Sequence, residues 1–263
     1  MNTVTSNDGT TIAFEQVGAG APVILVSGAT QYRAIDQNTP KLASLLSQRF
    51  SVISYDRRGR GESSDTLPFA VEREIEDIEA LIDAAGGSAF VYGISSGAAL
   101  AMEATLQLVA KLKKLAMYEA PYNSEEGARA AWKDYRKNLS AALAENRQGD
   151  AVACFMKVVG VPDDQVAGMR HAPFWGGLEA IAPTLAYDAA ELGDEAAVPT
   201  ERAARVTVPT LVMDGGASYP FMHTTALALA EAMPQGQQRT LEGQTHDVSP
   251  DVLAPALIEF FSA

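Results

Sequence analysis

The sequence is short of the residues that build disulfides and metal centres. Of its 263 residues one is cysteine, Cys154, and only three are histidine. A single cysteine excludes an internal disulfide and is typical of a reducing compartment, and we expect it to be a packed thiol in a helix. The histidines form no H-E-x-x-H pattern and no paired C-x-x-C occurs. We therefore expect no metal site.

Nucleotide-binding motifs are missing as well. The chain has no G-x-x-x-x-G-K-[ST] loop, and the stretch GRGESS after Arg58 leaves the dinucleotide pattern G-x-G-x-x-G incomplete. Both motifs cradle phosphate groups with glycine backbone. We therefore expect no nucleotide cofactor.

Positive charge and long apolar runs are also scarce. Lys and Arg number 20 against 33 Asp and Glu, a formal net charge of −13 at pH 7. Nucleic acids and anionic membrane surfaces bind basic patches, so this balance disfavours both as partners. No apolar run approaches the roughly 20 residues that span a bilayer, and Met1 to Thr10 lacks the features of a secretory signal. We expect a soluble cytoplasmic protein.

What is abundant is hydrophobic sequence in alternating strand and helix patterns. Hydrophobic residues make up 47% of the chain, enough for a large core. Runs such as APVILVSGA and RFSVISYDRRG end in glycine-containing loops, as buried parallel strands do. Helical patterns lie between such runs, and Phe69 to Ala85 is strongly amphipathic. After an N-terminal β-hairpin around SNDG, the alternation predicts an α/β fold, a mostly parallel sheet with helices on both faces.

One segment, residues 122–206, interrupts this alternation. It carries helical periodicities and a loop-like stretch, RHAPFWGGLEAIAPTL, but no convincing strand. An insertion of this length between two strands predicts a helical lid over the sheet edge where ligands bind. The predicted organisation is a core of residues 1–121 and 207–263 with a cap of residues 122–206.

Ser95 lies in a G-x-S-x-G pattern, GISSG, which alone is also compatible with an ordinary turn. Here the pattern joins the predicted strand SAFVYG to a helix, the setting of a nucleophile elbow. Gly93 and Gly97 allow the strand and the helix to approach. A serine nucleophile needs a base, and His246 lies in the loop after the last predicted strand. We expect His171 and His223 to be structural or to line a pocket.

With these residues the chain resembles the α/β-hydrolase superfamily over essentially its whole length. The matching stretches are VILVSGAT, YDRRGRGESS, GISSG and GQTHDV. The resemblance implies an eight-stranded sheet, a helical cap and catalysis without a cofactor. By position, Ser95 would be the nucleophile, His246 the base, and the backbone amides of Ala29 and Ser96 the oxyanion hole.

Two departures from the family pattern concern the oxyanion strand and the triad acid. Ser27 replaces the usual histidine before Gly28, and Ser218 stands where relatives carry an aspartate after the seventh strand. Two carboxylates could replace that acid. Asp214 lies at the end of the seventh strand. Glu119 follows the sixth strand, where haloalkane dehalogenases and zearalenone-type lactonases carry a triad glutamate. We favour Glu119, with Asp214 as the alternative.

The expected reaction is hydrolysis of a small-molecule carboxylic ester or lactone through an acyl-enzyme. Cofactor-free perhydrolases and C–C bond hydrolases use the same triad, and a catalytically silent ligand-binding protein is a further alternative. For the pocket we expect Trp175, in a loop of the lid, and Tyr32, beside the oxyanion strand, to face the substrate. The substrate's size and the oligomeric state stay open.

Overall fold

A computed structural model describes residues 1–263 and shows eight strands in one sheet. The strands are β1 (Asn2–Thr5), β2 (Thr11–Gly18), β3 (Pro22–Val26), β4 (Ser51–Tyr55), β5 (Ala89–Ile94), β6 (Leu112–Tyr118), β7 (Thr210–Gly215) and β8 (Gly236–Leu241). Their order in the sheet is β1-β2-β4-β3-β5-β6-β7-β8. β2 pairs antiparallel with β1 and β4, and all other pairs are parallel. The predicted α/β fold with a mostly parallel sheet is confirmed.

Eleven α-helices and one short 3-10 helix surround and follow the strands. The helices are α1 (Asn38–Leu46), α2 (Val71–Ala84), α3 (Ser96–Gln107), α4 (Glu126–Ala144), α5 (Gln148–Val158), α6 (Asp163–Met169), α7 (Trp175–Ile181), α8 (Leu185–Leu192), α9 (Thr200–Ala203), α10 (Pro220–Ala232) and α11 (Pro250–Ser262), with the 3-10 helix at Ala182–Thr184. α1 and α11 pack on one face of the sheet, and α2, α3 and α10 on the other. No helix has the length and hydrophobicity needed to cross a membrane.

The central strands are apolar on both sides because helices cover both faces. In β3, Val23 and Leu25 point into the cluster with α1 and α11, whereas Ile24 and Val26 point into the cluster with α2 and α3. This alternation follows from the two-residue period of a strand. It explains why buried strands of this chain appear in the sequence as continuous hydrophobic runs.

The chain between β6 and β7 contains helices α4 to α9 and no strand. α4, α5 and α7 share a hydrophobic cluster that is separate from the two clusters on the sheet. The stretch expected to be a loop contains α7, in which Trp175, Leu178 and Ile181 form the buried face. Gly176 and Gly177 lower the helix propensity of this stretch, and the packing of its apolar face outweighs that loss.

Gly97 fixes how closely α3 approaches β3, and its substitution provides a test of that contact. A Cβ atom on Gly97 would lie 2.4 Å from the carbonyl oxygen of Val26. We expect Gly97→Ala to lower the free energy of unfolding by about 1–3 kcal/mol or more, because backbone rather than a flexible side chain must move. Gly127 is a matched control, because a Cβ there meets nothing within 4 Å. Gly127→Ala should leave stability unchanged or raise it by about 0.5 kcal/mol. Denaturant unfolding of both variants checks this, and equal stability of the two would contradict it.

Candidate active site

Ser95 lies in the sharp turn between β5 and α3. Its backbone has φ 57° and ψ −130°, a region that costs a non-glycine residue roughly 1–3 kcal/mol. A Cβ on Gly93 would lie 2.2 Å from the carbonyl oxygen of Gly97, so both positions need glycine for the strand and helix to meet. This strained turn places Ser95 at the carboxyl edge of the sheet, on the wall of a large cavity.

His246 lies on the wall of the same cavity, in the loop between β8 and α11. Two contacts hold this loop against the sheet. The hydroxyl of Tyr118 donates to the carbonyl oxygen of Thr245 at 2.5 Å. The backbone of Gly215 also lies directly against Gln244 of this loop, because a Cβ atom added to Gly215 would be only 2.4 Å from the carbonyl oxygen of Gln244. The position of His246 therefore depends on β6 and β7 as well as on its own loop.

Glu119 follows β6 directly and contacts His246. Its side chain is fully buried, and Oε2 lies 2.7 Å from Nδ1 of His246. Glu119 Oε1 accepts a hydrogen bond from the amide of Gly215 at 2.8 Å, and Oε2 accepts one from the hydroxyl of Ser218 at 2.9 Å. The serine at the expected place of the triad acid is thus a hydrogen-bond donor to Glu119.

Asp214 lies one residue before Gly215 and points to the other side of the sheet. Its carboxylate lies 3.0 Å from Nδ1 of His223, on α10, and accepts a hydrogen bond from Gln238 at 2.6 Å. Successive residues of a strand face opposite sides, so Asp214 turns away from the loop that Gly215 contacts. The structure brings Glu119, and not Asp214, to His246. His171 and His223 do not line the cavity.

The loop of residues 27–31, after β3, packs against Ser95. A Cβ on Gly28 would lie 3.0 Å from Cβ of Ser95. Ala29 of this loop and Ser96, the first residue of α3, line the same cavity as Ser95. The structure therefore brings together at one cavity the four residues that the sequence assigns to the nucleophile, the base and the oxyanion hole.

The cavity lies between the carboxyl edge of the sheet and helices α4, α5 and α8. Its volume is about 620 Å³, within the range of small-molecule sites. Of the 35 residues that line it 19 are hydrophobic, so the wall is largely apolar. Its aromatic residues include Trp132 and Tyr135 of α4, Phe155 of α5, and Tyr219 and Phe221 at the start of α10.

The structure places neither of the two aromatic residues expected in the pocket on the wall of this cavity. Trp175 is 4% exposed and packs inside the cluster of α4, α5 and α7, where its Nε1 donates to Glu179 at 3.0 Å. Tyr32 lies outside the cavity wall, with its hydroxyl near Gly177. The sequence contained a better signal for the pocket: Ala128, Trp132 and Tyr135 share one face of α4 at helical spacing.

A buried cluster of charged residues that the sequence does not predict lies beside the site. Arg57 forms a two-point contact with Glu74 of α2 and also contacts Asp188 and Glu191 of α8. Burial raises the pKa of Glu191 well above its ordinary value. Burial acts the same way on Glu74, but the Arg57 guanidinium outweighs it and lowers the pKa of Glu74 to about 2. The only sequence signal was the pair of acids three residues apart in the otherwise apolar helix LAYDAAEL.

The comparison with known families agrees with this geometry. Residues 23–256 match the model of the alpha/beta hydrolase family. The chain belongs to this family. Its structure is similar to that of an alpha/beta hydrolase from Sphaerobacter thermophilus, with a TM-score of 0.87 and 51% sequence identity over 99% of this chain and 100% of the other.

Two more distant structures share the alpha/beta hydrolase fold. An esterase from Thermogutta terrifontis has a TM-score of 0.72 and 22% identity, over 99% of this chain and 97% of the other. An enol-lactonase from Burkholderia xenovorans has a TM-score of 0.67 and 19% identity, over the whole of both chains. At these identities the likeness extends to the fold alone.

The two tryptophans of this alpha/beta hydrolase should respond differently to truncation. Trp175→Ala should lower the free energy of unfolding by about 3–5 kcal/mol, because it empties a packed site away from the cavity, and should leave relative rates on short-chain and long-chain p-nitrophenyl esters unchanged. Trp132→Ala should change that relative preference, because its side chain lines the cavity. Thermal melting and the ester series measure both effects. A changed preference in Trp175→Ala alone would contradict the assignment.

Proposed function

We propose that this protein hydrolyses carboxylic esters or lactones through an acyl-enzyme on Ser95. The contact between the buried Glu119 carboxylate and Nδ1 of His246 carries the proposal. A carboxylate in that place keeps the proton on Nδ1, so Nε2 is the ring nitrogen free to accept a proton from serine. Glu119 would also stabilise the imidazolium that forms.

The reaction follows from the placement of these groups. As Ser95 Oγ bonds to the carbonyl carbon, its proton passes to Nε2 of His246, and the Ala29 and Ser96 amides stabilise the oxyanion. The bond to the leaving oxygen then breaks, and that oxygen takes the proton from His246. Water repeats the sequence on the acyl-enzyme, releasing the carboxylic acid and restoring the serine.

Helices of the segment 122–206 would act as the lid of this site. α4, α5 and α8 contribute Trp132, Phe155 and Leu192 to the cavity wall opposite Ser95. A largely apolar enclosure strengthens the electrostatic interactions of the reacting groups and favours an apolar acyl or ring portion in the substrate.

The charges on the cavity wall favour an uncharged substrate. Four carboxylates line it, those of Asp36, Asp188, Glu195 and Asp247, and no lysine or arginine does. Asp188 and Glu195 are ion-paired with arginines, whereas Asp36 and Asp247 have no basic partner. A carboxylate on the substrate would lose its hydration without gaining a cation.

A pair of esters of equal length tests this charge preference. We expect kcat/KM for mono-p-nitrophenyl succinate to be about 100-fold below that for p-nitrophenyl butyrate, a difference of about 2.7 kcal/mol. Methyl p-nitrophenyl succinate is the control for size, since it is longer but neutral, and it should be hydrolysed at a rate close to that of the butyrate. Equal rates on the acid and its methyl ester would show that the cavity does not select on charge.

Amide variants of the two carboxylates test the triad. Glu119→Gln keeps the shape of the side chain but removes its charge, an exchange that lowers turnover about 10⁴-fold in serine proteases. Asp214→Asn should stay within roughly tenfold of wild type, about 1.4 kcal/mol in the barrier. Ser95→Ala gives the residual turnover expected when the nucleophile is absent. Measuring kcat of each variant on p-nitrophenyl butyrate identifies the triad acid. The reverse ranking of the two amide variants would make Asp214 the acid.

Labelling with an organophosphonate separates a working site from a silent ligand-binding one. The probe should modify Ser95 in the wild-type protein, and peptide mass spectrometry locates the modified residue. Wild-type protein that is folded yet unlabelled at Ser95 would contradict the proposed function.

A further inference from the structure

Two buried arginines hold the loop of residues 27–31 from the side that faces away from the cavity. Arg60 Nη1 donates to the carbonyl oxygen of Gly28 at 2.7 Å, and Arg57 Nη1 donates to that of Ser27 at 3.3 Å. Both side chains are at most 1% exposed, and neither lines the cavity. Their charge therefore acts on the backbone of the loop and does not contact a substrate.

The carbonyl that Arg60 holds belongs to the same peptide group as the amide of Ala29. This peptide is trans, and in a planar trans peptide the C=O and N–H bonds point in opposite directions. Fixing the Gly28 oxygen from behind therefore fixes the direction of the Ala29 N–H. That N–H donates to no other group of the protein, and Ala29 lines the cavity. A cation at the oxygen also polarises the peptide, so its N–H is a stronger donor.

Asp188 of α8 connects this peptide to the second amide of the site. Its Oδ2 accepts a hydrogen bond from Arg60 at 2.7 Å, and its Oδ1 accepts one from the hydroxyl of Ser96 at 2.8 Å and one from Arg57 at 2.8 Å. The Asp188 carboxylate thus orients both the Arg60 guanidinium, which holds the peptide of Ala29, and Ser96, which carries the other amide.

We propose that Arg60, held by Asp188, is a positioning residue that aims the Ala29 amide at the oxyanion of the transition state. This inference rests on the proposed function, because it assumes that an acyl group reacts at Ser95. A residue with this role affects the oxyanion more than the bound ester, so its loss lowers kcat and leaves KM nearly unchanged. A residue that only stabilises the fold has no such selectivity.

The test uses Arg60→Gln and Arg60→Lys in the full-length protein. Removing one oxyanion donor outright costs about 10²–10³ in kcat, so we expect a misdirected one to cost about 10–100-fold in Arg60→Gln, with KM within about threefold. Lysine keeps the charge but cannot contact Gly28, Asp188 and Thr184 together as arginine does. Arg60→Lys should therefore lie between Arg60→Gln and wild type, and it decides the question if Arg60→Gln does not fold.

A trifluoromethyl ketone with a propyl chain supplies a measurement specific to the oxyanion. The oxygen of Ser95 bonds to the ketone carbon, its proton passes to Nε2 of His246, and the former carbonyl oxygen occupies the oxyanion hole as the hemiketal oxyanion. Across the Arg60 variants the Ki of the ketone should rise by the same factor by which kcat/KM falls. A fall in kcat with an unchanged Ki would overturn the proposal, as would Arg60 variants that keep both constants within threefold of wild type.

Arg58 is the matched control. It is as buried as Arg60 and pairs with Asp77 and Asp8, but its remaining hydrogen bond goes to the carbonyl oxygen of Arg73 and not to residues 27–31. Arg58→Gln and Arg58→Lys should lower the melting temperature without changing Ki for the ketone. Equal effects of Arg58 and Arg60 on Ki would overturn the proposal.

The wild-type protein separates the proposed function from the proposed role of Arg60. If it neither hydrolyses p-nitrophenyl butyrate nor binds the ketone, the proposed function and the role of Arg60 both fail. If it does both and the Arg60 variants match it, the role of Arg60 alone fails.

Discussion

The candidate active site depends on the register of two neighbouring parallel strands. The amide of Ser95 donates to the carbonyl oxygen of Tyr118 at 2.9 Å, so β5 and β6 end at the same level of the sheet. Ser95 and Glu119 are therefore about one strand spacing apart, roughly 4.8 Å. Both have positive φ, 57° and 46°, which turns each chain away from the strand direction at this edge. The register of the sheet, more than any loop, brings the two residues to the same edge at the ends of neighbouring strands.

The position of Glu119 at the end of β6 has consequences for the neighbouring strand. A buried carboxylate requires donors, and Glu119 takes one from the Gly215 amide and one from the Ser218 hydroxyl. An aspartate at 218 would face Glu119 as a second negative charge in a buried space, which is unfavourable. Ser218 and Glu119 therefore compensate each other, and the absence of a carboxylate at 218 goes together with its presence at 119.

The sequence was sufficient for the sheet and for much of the candidate site because both rest on local patterns. Strand and helix periods predict the layers, and the glycines around Ser95 mark a tight strand-to-helix turn. The residues of the cavity wall are harder to predict, because Trp132 and Trp175 both lie on apolar helix faces, and only the packing of the helices determines which face meets the cavity. The contact of Arg60 with Asp188 joins residues 128 positions apart and leaves no local pattern. A location in the cytoplasm stays a prediction.

The buried ion pairs of α8 also limit how substrates enter. If α8 swung away from the core, Arg60 would lose its one carboxylate partner, Asp188, and Arg57 would keep only Glu74. Breaking one buried pair costs about 3–5 kcal/mol, and Asp188 of α8 takes part in two. Opening a flap that includes α8 is therefore energetically unfavourable. We therefore expect α8 to stay on the core, and any opening that admits a substrate to involve the outer helices α4 to α7, whose ion pairs are solvent-exposed and contribute little to stability.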